Sequence, residues 1–302
     1  MAFELDHRKH LDDELTKIVR RQLRDTVRAL SEAGEASETV IHEARKSVKK
    51  VRAIAALLEQ AGAKLPRKDR KRLKSAASAL SRLRDSAAIV ESLDRVHRQY
   101  PKQLSEETYA VLHRALVQAR GRQQAQAEHH DVVIEAARKL AKTRRSAKTW
   151  ALPSLGVSEL VDVIGDSYRL SRKAMRHARE TGQSASVHRW RKELKTLWYQ
   201  LRLAKPLTTG VAPLIARLKR LETELGNDHN LVVLGATLRG CSELRSMREE
   251  LRQVERLAAR MRQSLRRQAF GLGRRVQTRK PRAFTRWIRS STMKRRSRQS
   301  AA

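Results

Sequence analysis

The chain has 302 residues and a formal net charge of +35, enough length for one large or two medium domains and enough charge to call for a polyanionic partner: nucleic acid, an anionic membrane surface or a phosphate polymer. An apolar fraction of 40% can build a core and excludes a wholly disordered chain, while aromatics at 4% argue against single-strand modules that stack bases on aromatic platforms. The single cysteine, Cys241, excludes an internal disulfide framework or a multi-cysteine metal site and fits a reducing, cytoplasmic setting.

Only 12 glycines and 6 prolines interrupt long runs of Ala, Leu, Arg and Glu, so the chain reads as all-α. The N-terminal stretch MAFELDHRKHLDDELTKIVR has no apolar signal core. No apolar run reaches the roughly 18 residues that a membrane span needs.

The first helix is expected over residues 5–30, with Arg21, Arg24 and Arg28 at i, i+3 and i+7. After the polar loop SEAGEASET comes a helix over residues 40–58, VIHEARKSVKKVRAIAALL. At about 100° per residue, with His42 as zero, Arg45, Lys46, Lys49, Lys50 and Arg52 fall within roughly 80° either side. Ala44, Val48, Val51, Ala55 and Leu58 occupy the opposite face. Residues 62–66 end this helix. The next spans 67–100, cationic early and apolar late (Leu73, Ala76, Ala77, Leu80, Leu83, Ala87). Pro101 breaks it. Glu106 and Glu107 open a further helix to about residue 145, with an interruption at Gly121 in view. Residues 148–158, KTWALPSLGVS, form the expected boundary between two halves.

Then the pattern restarts. A helix is expected over 158–179, bearing Arg169, Arg172, Lys173 and Arg176. The loop ETGQSA leads into VHRWRKELKTLWYQLRLA, residues 187–204. There His188, Arg191, Lys192, Lys195 and Arg202 share one face, and Trp190, Leu194, Leu197, Leu201 and Ala204 the other. Helices over 214–239 and 242–270 complete this half. Glu255 is the last acidic residue, and from Gly271 onward weak structure is expected, with a short helix around 284–288 in a basic, flexible tail.

Three segments repeat in the same order. His42 aligns with His188; Arg21, Arg24 and Arg28 with Arg169, Arg172 and Arg176; and LSRLRDSAAIV from Leu80 with LGNDHNLVVLG from Leu225. The expectation is two copies of one four-helix unit, over residues 5–147 and 158–270, with the histidine helices facing a common feature.

VHRWRKELKTLWYQLRL resembles the second half of the CHAD domain, the conserved histidine α-helical domain, and IHEARKSVKKVRA resembles its first half. Leu225, Gly226 and Asn230, with the Arg84–Asp85 pair, also resemble its motifs. Ser81 stands where the second copy has Gly226, and Asp85 opposite Asn230. The resemblance covers about residues 5–270. It implies two helical bundles related by a pseudo-twofold, a basic central groove, binding of inorganic polyphosphate and association with polyphosphate granules. The glutamate-rich E-x-E-x-K signature of the triphosphate-processing domain that precedes many relatives does not occur, so a stand-alone binding module is expected.

The residue types suit this ligand. A phosphate polymer offers charge and no bases, so affinity rests on spaced cations: arginine for bidentate contacts, lysine as a mobile point charge. The candidate ligand-binding residues are therefore the two arginine rows with Lys173, and the two histidine stripes. His42 and His188, surrounded by cations, are expected to gain protons when phosphate binds, tightening binding as pH falls from about 8 to 6. Plainer readings stand beside these: each histidine caps or packs at its helix start, and basic helix faces are usually solvated surface. Trp190, Trp198 and Tyr199 read as core and rim packing, Arg84–Asp85 as an internal brace. His129 and His130 lack further residues at metal-ligand spacing. No cofactor or metal is expected. The alternative function is a nucleic-acid-associated protein gripping phosphate backbones, although no helix-turn-helix, zinc-finger or RNP-like pattern occurs. An enzyme is disfavoured by the lack of clustered carboxylates, a glycine-rich phosphate loop or an activated nucleophile.

Overall fold

Two apolar stripes set the architecture. Ala44, Val48, Val51, Ala55 and Leu58 are all buried, as are Trp190, Leu194, Leu197, Leu201 and Ala204. Burying each Val, Leu or Trp contributes about 1.5–3 kcal/mol against chain entropy, so these stripes fix which face of each helix turns inward. The computed structural model describes residues 3–6, 10–32, 37–125, 127–150 and 154–300, excluding the side chains of 82, 84–87, 120, 122–125, 127–129 and 293–300.

The described chain is helical throughout, without β-strands: α1 (Leu11–Glu32), α2 (Glu38–Gln60), α3 (Arg67–Gln99), α4 (Glu106–Ala125), α5 (Ala127–Ser146), α6 (Val157–Thr181), α7 (Ser184–Leu203), α8 (Ala212–Gly240), α9 (Arg248–Val276) and α10 (Pro281–Ser300). In the first half α1 packs on α2 and α5, and α3 on α2, α4 and α5. In the second, α6 packs on α7 and α10, α7 on α8, and α8 on α9. The halves meet along α3 and α8 and along α2 and α7.

The core forms two clusters, and neither is confined to one half. The larger joins α1, α2, α3 and α5 to α6, α7, the start of α8, the end of α9, and Phe284 and Ile288 of α10. The smaller joins the far ends of α3 and α8 to α4 and the start of α9, through Leu93, Val96, Leu112, Leu116, Leu234 and Leu257. The expected boundary is itself tied down: buried Trp150 donates from Nε1 to Oδ2 of Asp69 on α3 at 3.0 Å.

Two expectations change. The segment 105–145 forms two helices, and Gly121 lies inside α4; Gln126, between them, lies outside the described residues. The expectation of a flexible tail is corrected. α9 continues through Gly271 to Val276, and α10 docks on α6. Phe284 and Ile288, spaced i, i+4, are fully buried. Phe284 stacks on Tyr168 with ring centroids 3.8 Å apart. The Tyr168 hydroxyl donates to the Arg279 carbonyl at 2.8 Å. A side chain at Gly273 would sit 2.6 Å from Sδ of Met175 and 2.9 Å from Cζ2 of Trp190, so this glycine lets α9 close onto α6 and α7. The basic composition of the segment hides a short apolar stripe that suffices to dock it.

Candidate functional site

The two histidine helices start from fixed ends. Ser37 caps α2, its hydroxyl accepting from the Val40 amide at 3.4 Å. Gly182, with φ of 62°, ends α6 in the left-handed conformation and turns the chain into α7. Arg266 of α9 donates to the Gly182 carbonyl at 2.6 Å, and Arg262 to the Ser184 hydroxyl at 2.6 Å. Both guanidiniums also bond buried Asp228 of α8, at 2.8 and 3.2 Å. The start of α7, where His188 lies, is thereby held by α8 and α9.

α2 and α7 then present their cationic faces to each other across a groove. A cavity of about 470 Å³ is lined by Arg45, Lys49 and Arg52 of α2, His188 and Lys192 of α7, and Lys74, Ala77, Ser78 and Ser81 of α3. The third wall, with Lys74, Ser78 and Ser81, was not among the sequence-derived candidates. The early cations of α3, and the alignment of Ser81 with Gly226, were the signals for it.

The groove carries more positive charge than its acids offset. Half-buried Lys49 is pushed down to about 7, first by burial, then by Lys195 of α7, by Arg45, and by Arg191. Lys195 is lowered by burial and by Arg191. Lys50 is lowered by burial, and by Arg202 across the groove, with Arg21 of α1 adding to the effect. Exposed Glu43 opposes the shift of Lys50, and one buried carboxylate opposes those of Lys49 and Lys195. Glu222 of α8 pairs with Arg191 at 3.1 Å, Lys195 at 3.0 Å and Lys219 at 3.0 Å. Burial alone would raise its pKa, but Lys195, Arg191 and Lys219 hold it at about 2. Gly226, one turn further along α8, has no side chain because the Arg191 guanidinium lies over it: a Cβ would sit 3.2 Å from Nη2. The anchor Glu222 was missed at the sequence level; the Gly226 motif marked its turn of helix without revealing why.

The aromatic residues serve the rim and the core. Trp190 is buried and stacks on Phe270. Trp198 is largely buried, with Arg202 4.7 Å and Lys219 5.4 Å from its ring centroid. Lys50 lies over Phe3, 5.6 Å from its centroid.

His188 lies where a proton is disfavoured. It is lowered to about 4, first by burial, then by His229, Lys192, Arg191 and Lys195. Its ring lies 4.6 Å from that of His229, and its Nδ1 is buried with no hydrogen-bond partner among the described residues. The free groove thus disfavours the imidazolium, and Lys49, at about 7, is a second group able to take up a proton between pH 6 and 8. His42 is half-buried beside Glu43 and does not line the cavity.

The remaining candidates are spread more widely. Lys46 pairs with Glu43 at 2.6 Å, Arg24 with Asp25 at 3.0 Å, and Arg28 lies 3.7 Å from Glu32. The second arginine row lies towards α10. Arg169 bonds Asp166 at 3.1 Å, and Arg172 donates to the Arg279 carbonyl at 2.8 Å and to that of Gln277, bracing the α9–α10 turn. Lys173 and Arg176 are exposed. None of these four lines the groove cavity: Arg169 lines the cleft between α6 and α10, and Arg172 is engaged by the α9–α10 turn. The side chains of Arg84, Asp85 and His129 lie outside the described residues. Among the described residues no group of three His, Cys, Asp or Glu side chains is placed to hold a metal, and no helix is long and apolar enough to cross a membrane.

Fold and site together define an all-α protein built around a cationic groove between helices. Residues 17–239 match the family model of the CHAD domain, and the chain belongs to that family. The same fold occurs in the crystal structure of the CHAD domain from the plant Ricinus communis, at 17% identity and a TM-score of 0.65, over 92% of this chain and 95% of that one. No curated protein sequence matches the chain.

Proposed function

We propose that this protein binds inorganic polyphosphate along the α2–α7 groove without chemically altering it, and that it associates with polyphosphate granules in the cytoplasm. The observation that carries this reading is the state of Lys49. An ammonium brought to about 7 by burial and by neighbouring cations marks a cavity whose positive charge its own acids do not balance. A chain of phosphates supplies the missing negative charge at regular spacing. Arg45 and Arg52 grip its oxygens and Lys49, Lys74 and Lys192 supply mobile charge. Base recognition is not provided for, since the large aromatic rings near the groove are buried or covered by cations.

The test is competition binding of graded polyphosphate lengths against duplex DNA at two salt concentrations, with phosphate release followed in the presence of magnesium. Affinity should rise with chain length, fall with salt and exceed that for DNA. The triple substitution Arg45→Ala, Lys49→Ala, Arg52→Ala should weaken polyphosphate binding by at least about 100-fold with the helical circular dichroism unchanged, since each lost charge-assisted contact is worth about 1.5–3 kcal/mol. Equal competition by DNA would favour a nucleic-acid-associated protein, and released phosphate an enzyme.

A further inference from the structure

The docked C-terminal helix creates a second concavity that shares no lining residue with the groove. It is a cleft of about 650 Å³ between α6 and α10, with Asp162, Asp166 and Arg169 on one wall and Arg282, Arg286 and Arg289 on the other. Two of the four arginines are matched by the aspartates: Arg289 bonds Asp162 at 2.7 Å, and Arg169 bonds Asp166 at 3.1 Å. Arg282 and Arg286 are exposed and make no hydrogen bond or ion pair among the described residues. They are one helical turn apart on the same face of α10, at the spacing that lets two guanidiniums address successive phosphates.

These two arginines are not what holds α10 in place. Docking rests on Phe284 and Ile288, and on the Thr209 amide and hydroxyl, which donate to the Ser291 carbonyl at 3.2 and 3.1 Å. The cleft walls are therefore pre-positioned, and its excess charge has no structural task.

We propose that the α6–α10 cleft is a second site for phosphate polymer, so that one molecule holds two polyphosphate segments and cross-links long chains. The ligand assignment rests on the reading of the groove above. A cavity of this size takes a few phosphate units and excludes the width of a duplex. Stacking of single-stranded bases is also blocked: Trp287, the aromatic residue nearest these arginines in sequence, is half-buried, with the Arg279 guanidinium 4.6 Å from its ring centroid. Two sites with no lining residue in common give a long polymer bivalent attachment, which a short chain cannot exploit.

The experiment uses the full chain in three forms: wild type, Arg282→Ala/Arg286→Ala, and the groove triple variant. Equilibrium dialysis with short-chain polyphosphate should count two bound chains per wild-type molecule and one for each variant. Light scattering with long-chain polyphosphate should fall about tenfold in the α10 variant, whose melting temperature should match wild type because both side chains are exposed. An unchanged count in the α10 variant overturns the proposal. Loss of duplex-DNA binding in that variant while two polyphosphate chains remain bound overturns it in favour of nucleic acid. A groove variant that still binds two chains removes the groove reading instead, and leaves the cleft to be judged on the α10 variant alone.

Discussion

Lys49 concentrates the electrostatics of the groove in one side chain. Its pKa near 7 in the folded protein lies below the 10.5 of a solvated lysine, so between those values the unfolded chain holds a proton that the native one has released. Its contribution to stability is therefore favourable above pH 10.5 and declines as pH falls towards 7. Ligand binding runs the opposite way, because bound phosphate rewards the charged form. Polyphosphate affinity should rise by up to about tenfold from pH 8 to pH 6, the free-energy equivalent of one pKa unit. Titration calorimetry at three pH values checks this. Lys49→Arg, permanently charged, should flatten the dependence; His188→Gln should leave it intact. Persistence of the full dependence in Lys49→Arg would place the titrating group elsewhere. Lys49 was legible as a groove residue from its position on the cationic face. Its depressed pKa was not, because that depends first on burial and then on Lys195 and Arg191 arriving from α7.

Among the helices, α2 and α7 are those most fully written in the sequence. Their apolar stripes are buried residue for residue, because a face with that spacing has no better place to go. α10 is the opposite case. Its two buried anchors are scattered among arginines, and its partner surface on α6 is more than 100 residues away, so its order depends on tertiary contact. Deleting residues 271–302 would strip Tyr168 of its cover and remove the end of α9, which makes point substitutions the better probe of the tail. Gly165 gives one. A Cβ there would lie 3.2 Å from both Cβ and Cγ2 of Thr285 and closer still to Oγ1. Gly165→Ala should loosen α10 by about 1–3 kcal/mol from overpacking, offset in part by about 1 kcal/mol of helix propensity. Faster trypsin cleavage within residues 281–300, with groove binding intact, is the expected result; unchanged cleavage would mean that the contact yields without cost.

For the whole molecule, a net charge of +35 stores repulsion that a polyanion relieves. Saturating polyphosphate, at about 100 times its dissociation constant, should add about 2.7 kcal/mol to stability, a rise of about 4 °C in melting temperature for a chain of this length. Scanning calorimetry at low and high salt reads it. Moderate salt alone should stabilise the free protein by screening, and should shrink the effect of ligand. A ligand-induced rise that is indifferent to salt would rule out charge relief as its source.

The sequence by itself determined the helical class, the positions of α2 and α7, and which face of each is apolar and which cationic. It did so because helical periodicity and charge are local properties that 18 or so consecutive residues fully express. Only the tertiary structure decided the rest: that α3 supplies a third wall, that Glu222 holds Arg191, Lys195 and Lys219, that burial and His229 weigh on His188, and that Arg169 faces α10 instead of the groove. Each of these depends on which residues from distant helices become neighbours, and on how far water is excluded where they meet. Burial and through-space charge set those outcomes, and neither has a local signature in the chain.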